Sequence, residues 1–86
     1  MARVFLPAAL RGLTRGQTEV ELAASTVREV IVQLETHFPG IRARLCEGDE
    51  LASTLQVAVG NVMTRSLAQS VGPDIEVHFI PAIGGG

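Results

Sequence analysis

The sequence is short of the residue types that several kinds of binding protein require. It contains no Lys, Trp or Tyr, its seven positive side chains are all Arg, and three Phe residues supply its only large aromatic rings. The formal net charge is −2, and no run of basic residues occurs. Binding to nucleic acids depends on clustered positive charge and on rings that stack on bases. We therefore expect no nucleic-acid partner.

The sequence is equally poor in features of metal-binding, secreted and membrane proteins. Its single cysteine, Cys46, cannot form an internal disulfide, which favours a cytoplasmic location. Together with His37 and His78 it does not match the spacing of a metal site, and the acidic neighbours of Cys46 are expected to raise its thiol pKa, which argues against a nucleophile. No apolar run approaches the length of a membrane-spanning helix, so we predict no metal and no membrane partner.

What is present indicates one small domain. The chain has 86 residues, of which 47% are hydrophobic. That is enough apolar surface for a single core at a length where one core just holds a fold. We predict a single domain over residues 1–80, followed by a flexible tail over residues 81–86.

Alternating apolar and polar residues predict the strands. Arg3–Leu6 and Glu19–Leu22 read as a hairpin, because apolar side chains recur at every second position and turn residues separate the two segments. Leu55–Val59 is predicted as the third strand and Val62–Thr64 as a short fourth strand. Ile75–Ile80 is the last strand, with Ile75, Val77 and Phe79 expected on the core face.

One main helix is predicted between these strands. Thr26 and Glu29 have the spacing of a capping box, in which the hydroxyl accepts from the Glu29 amide and the carboxylate reaches back to Thr26. An apolar stripe at helical spacing follows, made by Val27, Val30, Ile31, Leu34 and Phe38. Pro39 and Gly40 end the helix. A short helical turn is expected at residues 41–45, and a polar loop at residues 46–50.

The order of these elements predicts an α+β fold. A hairpin, one crossover helix and further strands place the helix on one face of a mixed sheet of four to five strands. The best-known fold with this order is the β-grasp, in which the first and last strands lie parallel at the centre of the sheet.

The chain ends in an apolar segment followed by three glycines. Gly84, Gly85 and Gly86 have no Cβ, so they fit a slot too narrow for other residues, and they should be mobile unless bound. The terminal carboxylate of Gly86 is a candidate chemical handle for another enzyme. A Gly-rich linker is the alternative interpretation of the same residues.

The sequence resembles the ubiquitin-like sulfur carriers, a family that includes the small subunit of molybdopterin synthase, the thiamine-pathway carrier and a carrier used in cysteine synthesis. The resemblance covers nearly the whole chain. It rests on five segments: Leu10-Arg11 with the Gly-containing hairpin after it, Thr26-Val27-Arg28-Glu29-Val30-Ile31, Leu34-Glu35 running into Phe38-Pro39-Gly40-Ile41, Arg44-Leu45, and Ile80-Pro81-Ala82-Ile83-Gly84-Gly85-Gly86. The last is the most specific, since the family ends in an apolar residue, Pro, a few residues and Gly-Gly. The chain departs from the family at Gly84, where Ala, Ser or Thr is usual, and at Pro73, which is inserted in the turn before the last strand.

The resemblance implies a carrier and not an enzyme. An E1-like adenylating enzyme would use ATP to activate the Gly86 carboxylate, and sulfur delivery would give a thiocarboxylate. A sulfur-accepting enzyme, either the large subunit of molybdopterin synthase or a cysteine synthase, would then receive the sulfur. The chain has no phosphate-binding loop of its own, so ATP belongs to the activating partner and no cofactor is expected on this chain.

The same reading predicts where partners bind. Phe5, His78 and Ile80 fall on the sheet face that the helix does not cover, and together with Pro81 we expect them to form the partner interface. In the family, the residue matching Ile80 lies in the contact region for both kinds of partner. The alternative is that these are ordinary exposed residues.

Two other functions fit the sequence. A ubiquitin-like modifier would form isopeptide bonds with lysines of other proteins, and lysate adducts of higher mass would indicate it. A plain β-grasp binding domain would not need the terminal glycines at all. Within the carrier reading, the acceptor pathway remains open between molybdopterin and cysteine synthesis.

Overall fold

The computed structural model describes residues 1–81, which form seven strands, two α-helices and one 3-10 turn at Ala8–Leu10. The strands are β1 (Ala2–Phe5), β2 (Glu19–Leu22), β3 (Cys46–Glu47), β4 (Glu50–Leu51), β5 (Leu55–Val59), β6 (Val62–Thr64) and β7 (Glu76–Pro81). The helices are α1 (Val27–His37) and α2 (Ile41–Leu45). Neither helix in this part of the chain has the length and apolar content that crossing a membrane requires.

Five of the strands form one mixed sheet in the order β2-β1-β7-β5-β6. The strand β1 pairs antiparallel with β2, as the predicted hairpin requires, and parallel with β7 at the centre of the sheet. The strand β7 then pairs antiparallel with β5, which pairs antiparallel with β6. The predicted α+β architecture is therefore confirmed, including the parallel pairing of the first and last strands.

The core lies between the sheet and α1. The apolar stripe of the helix is buried as predicted, with Val27, Val30 and Leu34 fully inaccessible to solvent. These side chains belong to the same cluster as Val4 and Val77 from the two central strands. Burying a side chain such as Leu34 stabilises the fold by about 1.5–3 kcal/mol, so this one layer accounts for much of the driving force for folding.

The start of α1 differs in one contact from the predicted capping box. The Thr26 hydroxyl accepts from the backbone N–H of Glu29 at 3.2 Å, as expected. The Glu29 carboxylate, however, accepts from the backbone N–H of Ser25 at 2.9 Å and from the Ser25 hydroxyl at 3.0 Å, and not from Thr26. These hydrogen bonds to Ser25 lower the pKa of Glu29. The carboxylate reaches one residue further back because Ser25 offers two donors.

The segment predicted as a polar loop is a small hairpin instead. The strands β3 and β4 pair antiparallel, with Cys46 opposite Leu51. Leu51 is buried, which anchors the hairpin to the core, and Gly48 supplies the positive φ (65°) of the turn. A two-residue turn that contains glycine is a hairpin signal, but the strands are too short for alternation to reveal them.

The ends of the two central strands are shifted by one residue from the prediction. The strand β1 covers Ala2–Phe5 and β7 covers Glu76–Pro81. Pro81 is accommodated at the end of β7, opposite Leu55, because the carbonyl group of a proline still accepts hydrogen bonds although its nitrogen cannot donate.

The Glu35 carboxylate joins the two helices. Its oxygens accept from the backbone N–H of Gly40 at 3.0 Å and from that of Arg42 at 2.9 Å, at the start of α2. These two hydrogen bonds lower the pKa of Glu35. Glu35 is a residue of α1, and its ionised carboxylate therefore caps the start of α2. This contact fixes the angle of the chain between the two helices.

This junction predicts a pH dependence of stability. The lowered pKa of Glu35 means that its contribution is present above the unfolded pKa of about 4.3 and is lost as the pH falls through the folded value. We expect Glu35→Gln to lower the thermal unfolding midpoint at pH 7, and the difference from the wild type to shrink between about pH 5 and pH 3. Glu50→Gln is the matched control outside the junction. A difference between Glu35→Gln and the wild type that stays constant with pH would contradict this role.

Candidate functional site

One face of the five-stranded sheet is not covered by the helices. Alternation along β1 and β7 buries Val4 and Val77 on the helix side and leaves Phe5, His78 and Ile80 half-buried on the other side. This is the distribution that the sequence predicts, and it brings three of the four predicted interface residues onto one surface.

The aromatic rings of Phe5 and His78 are stacked at the centre of this surface. The two residues are directly opposite each other across the parallel pairing of β1 with β7. Their ring centroids lie 4.2 Å apart and their planes differ by only 5°. The His78 Nε2 atom lies 3.2 Å from Oε1 of Glu76, two residues earlier on the same face. Stacking and the carboxylate together fix the orientation of the imidazole.

Two further residues extend the surface across the sheet. Ala58 of β5 lies opposite His78, and Met63 of β6 lies opposite Ala58. Met63 is 55% exposed, which is unusual for a large apolar side chain. We call the surface formed by Phe5, Ala58, Met63, His78 and Ile80 the open-face patch. Apolar side chains that are grouped on one exposed face of a small protein are typical of a protein-binding site.

Ala58 and Met63 are absent from the residues that the sequence singles out. Alternation does contain a signal for Ala58, since it lies between Val57 and Val59, which are both buried. For Met63 the signal is weaker, because β6 has only three residues. What places both residues beside His78 is the register of three strands, and register is a property of the folded sheet.

Charged residues border the open-face patch on the side of β2. The Arg3 Nε atom lies 3.5 Å from Oε2 of Glu19, and Glu21 lies opposite Arg3 on the same face. Glu76 lies on the other side of Arg3, in β7. One arginine thus has three glutamates as neighbours, so this margin is acidic, whereas the open-face patch contains no arginine or carboxylate side chain. A protein partner would meet an apolar centre and a negative rim.

The remaining predicted site residues are not part of the open-face patch. Pro81 is opposite Leu55, a buried residue of the core face, so its ring lies on the reverse side of the sheet from Ile80. Gly84, Gly85 and Gly86, which the sequence predicts to carry the chemistry, lie outside the described residues.

Cys46 is a half-buried free cysteine. Its pKa is raised, as predicted, but burial is the main cause and not the acidic neighbours that the sequence suggests. The guanidinium groups of Arg42 and Arg28 act in the opposite direction. Within residues 1–81 no group of three His, Cys or acidic side chains is placed to hold a metal ion.

The arrangement is suited to recognition of a protein surface. An apolar centre with one oriented imidazole and an acidic rim can bind a partner and set its orientation. The open-face patch includes His78 and Ile80 of β7, the last strand before the C-terminal glycines in the sequence.

Comparison with known proteins identifies relatives of the same size. The model of the ThiS family matches residues 4–86. In the structure of the Amycolatopsis orientalis BexX/CysO complex, a chain that is 31% identical superposes with a TM-score of 0.90 and covers 100% of both chains. Mycobacterium tuberculosis CysO, described as an antigen, is 28% identical, with a TM-score of 0.88 over 96% of this chain and 100% of that chain.

A more distant structure supports the fold alone. SAMP1 from Haloferax volcanii is 22% identical and has a TM-score of 0.73, covering 99% of this chain and 98% of that chain. A search of curated proteins with the sequence finds no significant match.

Proposed function

The chain belongs to the ThiS family of ubiquitin-like sulfur carriers, and we propose that it carries sulfur on the carboxylate of Gly86. The observation that supports this most directly is the extent of the family match, which runs through Gly86 and so includes all three terminal glycines. A relative that is 31% identical also has the same fold over the full length of both chains, which adds support from the structure.

The chemistry required of the tail is simple. A carboxylate resists attack by nucleophiles, so an E1-like partner must first join the Gly86 carboxylate oxygen to the α-phosphorus of ATP, with pyrophosphate as the leaving group. Hydrosulfide (HS⁻) then attacks the acyl carbon, a new C–S bond replaces the C–O bond to AMP, and the S–H proton is lost to solvent, which leaves a thiocarboxylate and free AMP. ATP is bound by the partner, and this chain acts as carrier and co-substrate.

The open-face patch is the docking surface in this proposal. It presents Phe5, His78, Ile80 and Met63 on and beside β7, which continues into the tail. The relative from Amycolatopsis orientalis was solved in complex with a second protein, BexX. By analogy, a sulfur-accepting enzyme binds this chain, and the two acceptor classes that fit are the large subunit of molybdopterin synthase and a cysteine synthase. We place these steps in the cytoplasm, as the single cysteine suggests.

A role as a protein modifier has less support. The structures from Haloferax volcanii include one named small archaeal modifier protein 1, but at 20% identity that likeness shows only the fold. The carrier and the modifier share the adenylation step and differ in what the activated glycine meets next, so the acceptor must be identified by experiment.

Adenylation predicts a clear dependence on the last residues. With the host's activating enzyme and ATP, the wild-type protein should support exchange of labelled pyrophosphate into ATP. A variant without Gly85 and Gly86 should support none, because the carboxylate would no longer reach the ATP site. Gly84→Ala is the control, since alanine is usual there in the family, and its exchange should stay within about threefold of wild type. Exchange by the shortened variant at the wild-type rate would contradict adenylation at Gly86, and an absence of exchange with both proteins would favour the plain binding domain.

The open-face patch generates a second test with a matched pair of substitutions. Met63 is 55% exposed in the patch, and Val32 is 54% exposed on α1, away from it. Met63→Asp should raise the carrier concentration for half-maximal exchange by about tenfold, the effect of losing one well-buried interface contact of about 1.4 kcal/mol. Val32→Asp should change it less than twofold. Equal effects of the two substitutions would rule out this face as the docking surface.

A further inference from the structure

A concave surface lies where β7 ends. Its volume is about 270 Å³, and it is enclosed by the 3-10 turn after β1, the end of α2, the start of β5 and the last residue of β7. The floor is apolar and buried, formed by Pro7, Leu10 and Leu55. The exposed rim consists of Ala9, Arg44, Thr54 and Pro81. We call this surface the tail-root pocket.

The tail-root pocket is distinct from the open-face patch but touches it. Successive residues of a strand point to opposite faces of the sheet. Ile80 therefore belongs to the open-face patch, and Pro81, which is opposite Leu55, belongs to the tail-root pocket. A protein that contacts both surfaces would hold the strand from both sides at the point where the tail begins. Such contacts on both sides would fix the direction of the chain at Pro81, the last described residue.

Arg44 determines which occupant the pocket suits. Among the described residues that line the pocket it is the only one with a charged side chain, and it is exposed. Among residues 1–81, no carboxylate lies within salt-bridge distance of its guanidinium, whereas Arg3 on the open face is paired with Glu19. An apolar floor with one cation at the rim is complementary to an apolar side chain next to a carboxylate.

We infer that the tail-root pocket binds an apolar side chain and an adjacent carboxylate of the adenylating partner. This inference rests on the proposed function. The adenylating partner is the appropriate occupant because it must deliver a negatively charged Gly86 carboxylate to ATP. Arg44 lines the same pocket as Pro81, where the described chain ends, so a partner carboxylate on Arg44 neutralises a cation that would otherwise attract the carboxylate that is to be activated.

The test compares charge reversal at two positions of the same short helix. Arg44→Glu and Arg42→Glu make the same change in α2, but only Arg44 lines the tail-root pocket. A third variant, Ala9→Phe, fills the pocket from its exposed rim without changing charge. Pyrophosphate exchange with the host's activating enzyme is measured over a range of carrier concentrations, and thermal unfolding confirms that each variant is folded.

We expect Arg44→Glu to raise the half-saturating concentration by at least tenfold and Ala9→Phe by about threefold to tenfold, with little change in the maximal rate. Arg42→Glu should stay within twofold of wild type. Wild-type behaviour of Arg44→Glu and Ala9→Phe, or equal losses in the two arginine variants, would overturn the inference and leave the proposed function intact.

Two other outcomes also overturn it. If Arg44 instead held this chain's own carboxylate, Arg44→Glu would lower the half-saturating concentration, because the tail would be released. If the wild-type chain supported no exchange at all, the proposed function would fail, and the assignment of the pocket to an adenylating partner would fail with it.

Discussion

The parallel pairing of β1 with β7 is the contact on which the rest of the structure depends. It joins the first strand to the last, so it can form only when the intervening chain has folded back, and it places Val4 and Val77 fully buried at the centre of the sheet. The same register sets Phe5 against His78 on the opposite face. Because β7 is central, its end emerges between the open-face patch and the tail-root pocket. One pairing thus fixes the core, the open-face patch and the position of Pro81, the last described residue.

The fold leaves one sheet face uncovered because it contains only one long helix. The apolar side chains of α1 pack against the inner face of the sheet. Nothing in the described chain covers the outer face. An ordinary sheet would present polar residues there. This sheet presents the rings of Phe5 and His78 together with the side chains of Ile80 and Met63, and carboxylates lie along one margin. Covering such a surface with a protein partner is favourable because it removes apolar area from water. In the proposed carrier role, a partner protein covers that surface.

Local patterns in the sequence predict the elements and most of their faces. Alternation identified both hairpin strands, β5, β6 and β7, and the cap at Thr26 gave the start of α1. Features that depend on long-range register or on burial were not predictable in the same way. Met63 joins the patch only through the pairing of β6 with β5 and of β5 with β7. The raised pKa of Cys46 arises from burial by distant residues, and Glu29 finds its partner at Ser25 because of the path that the chain takes into the helix.

The most direct test of the account is the intact mass of the protein recovered from its native cell under thiol-free, non-reducing conditions, with fragmentation to locate any change. The account predicts a population heavier by one exchange of oxygen for sulfur, located at Gly86. A protein that carries only an unmodified Gly86 carboxylate in freshly quenched cells, while the acceptor pathway is active, would contradict the claim that this chain carries sulfur.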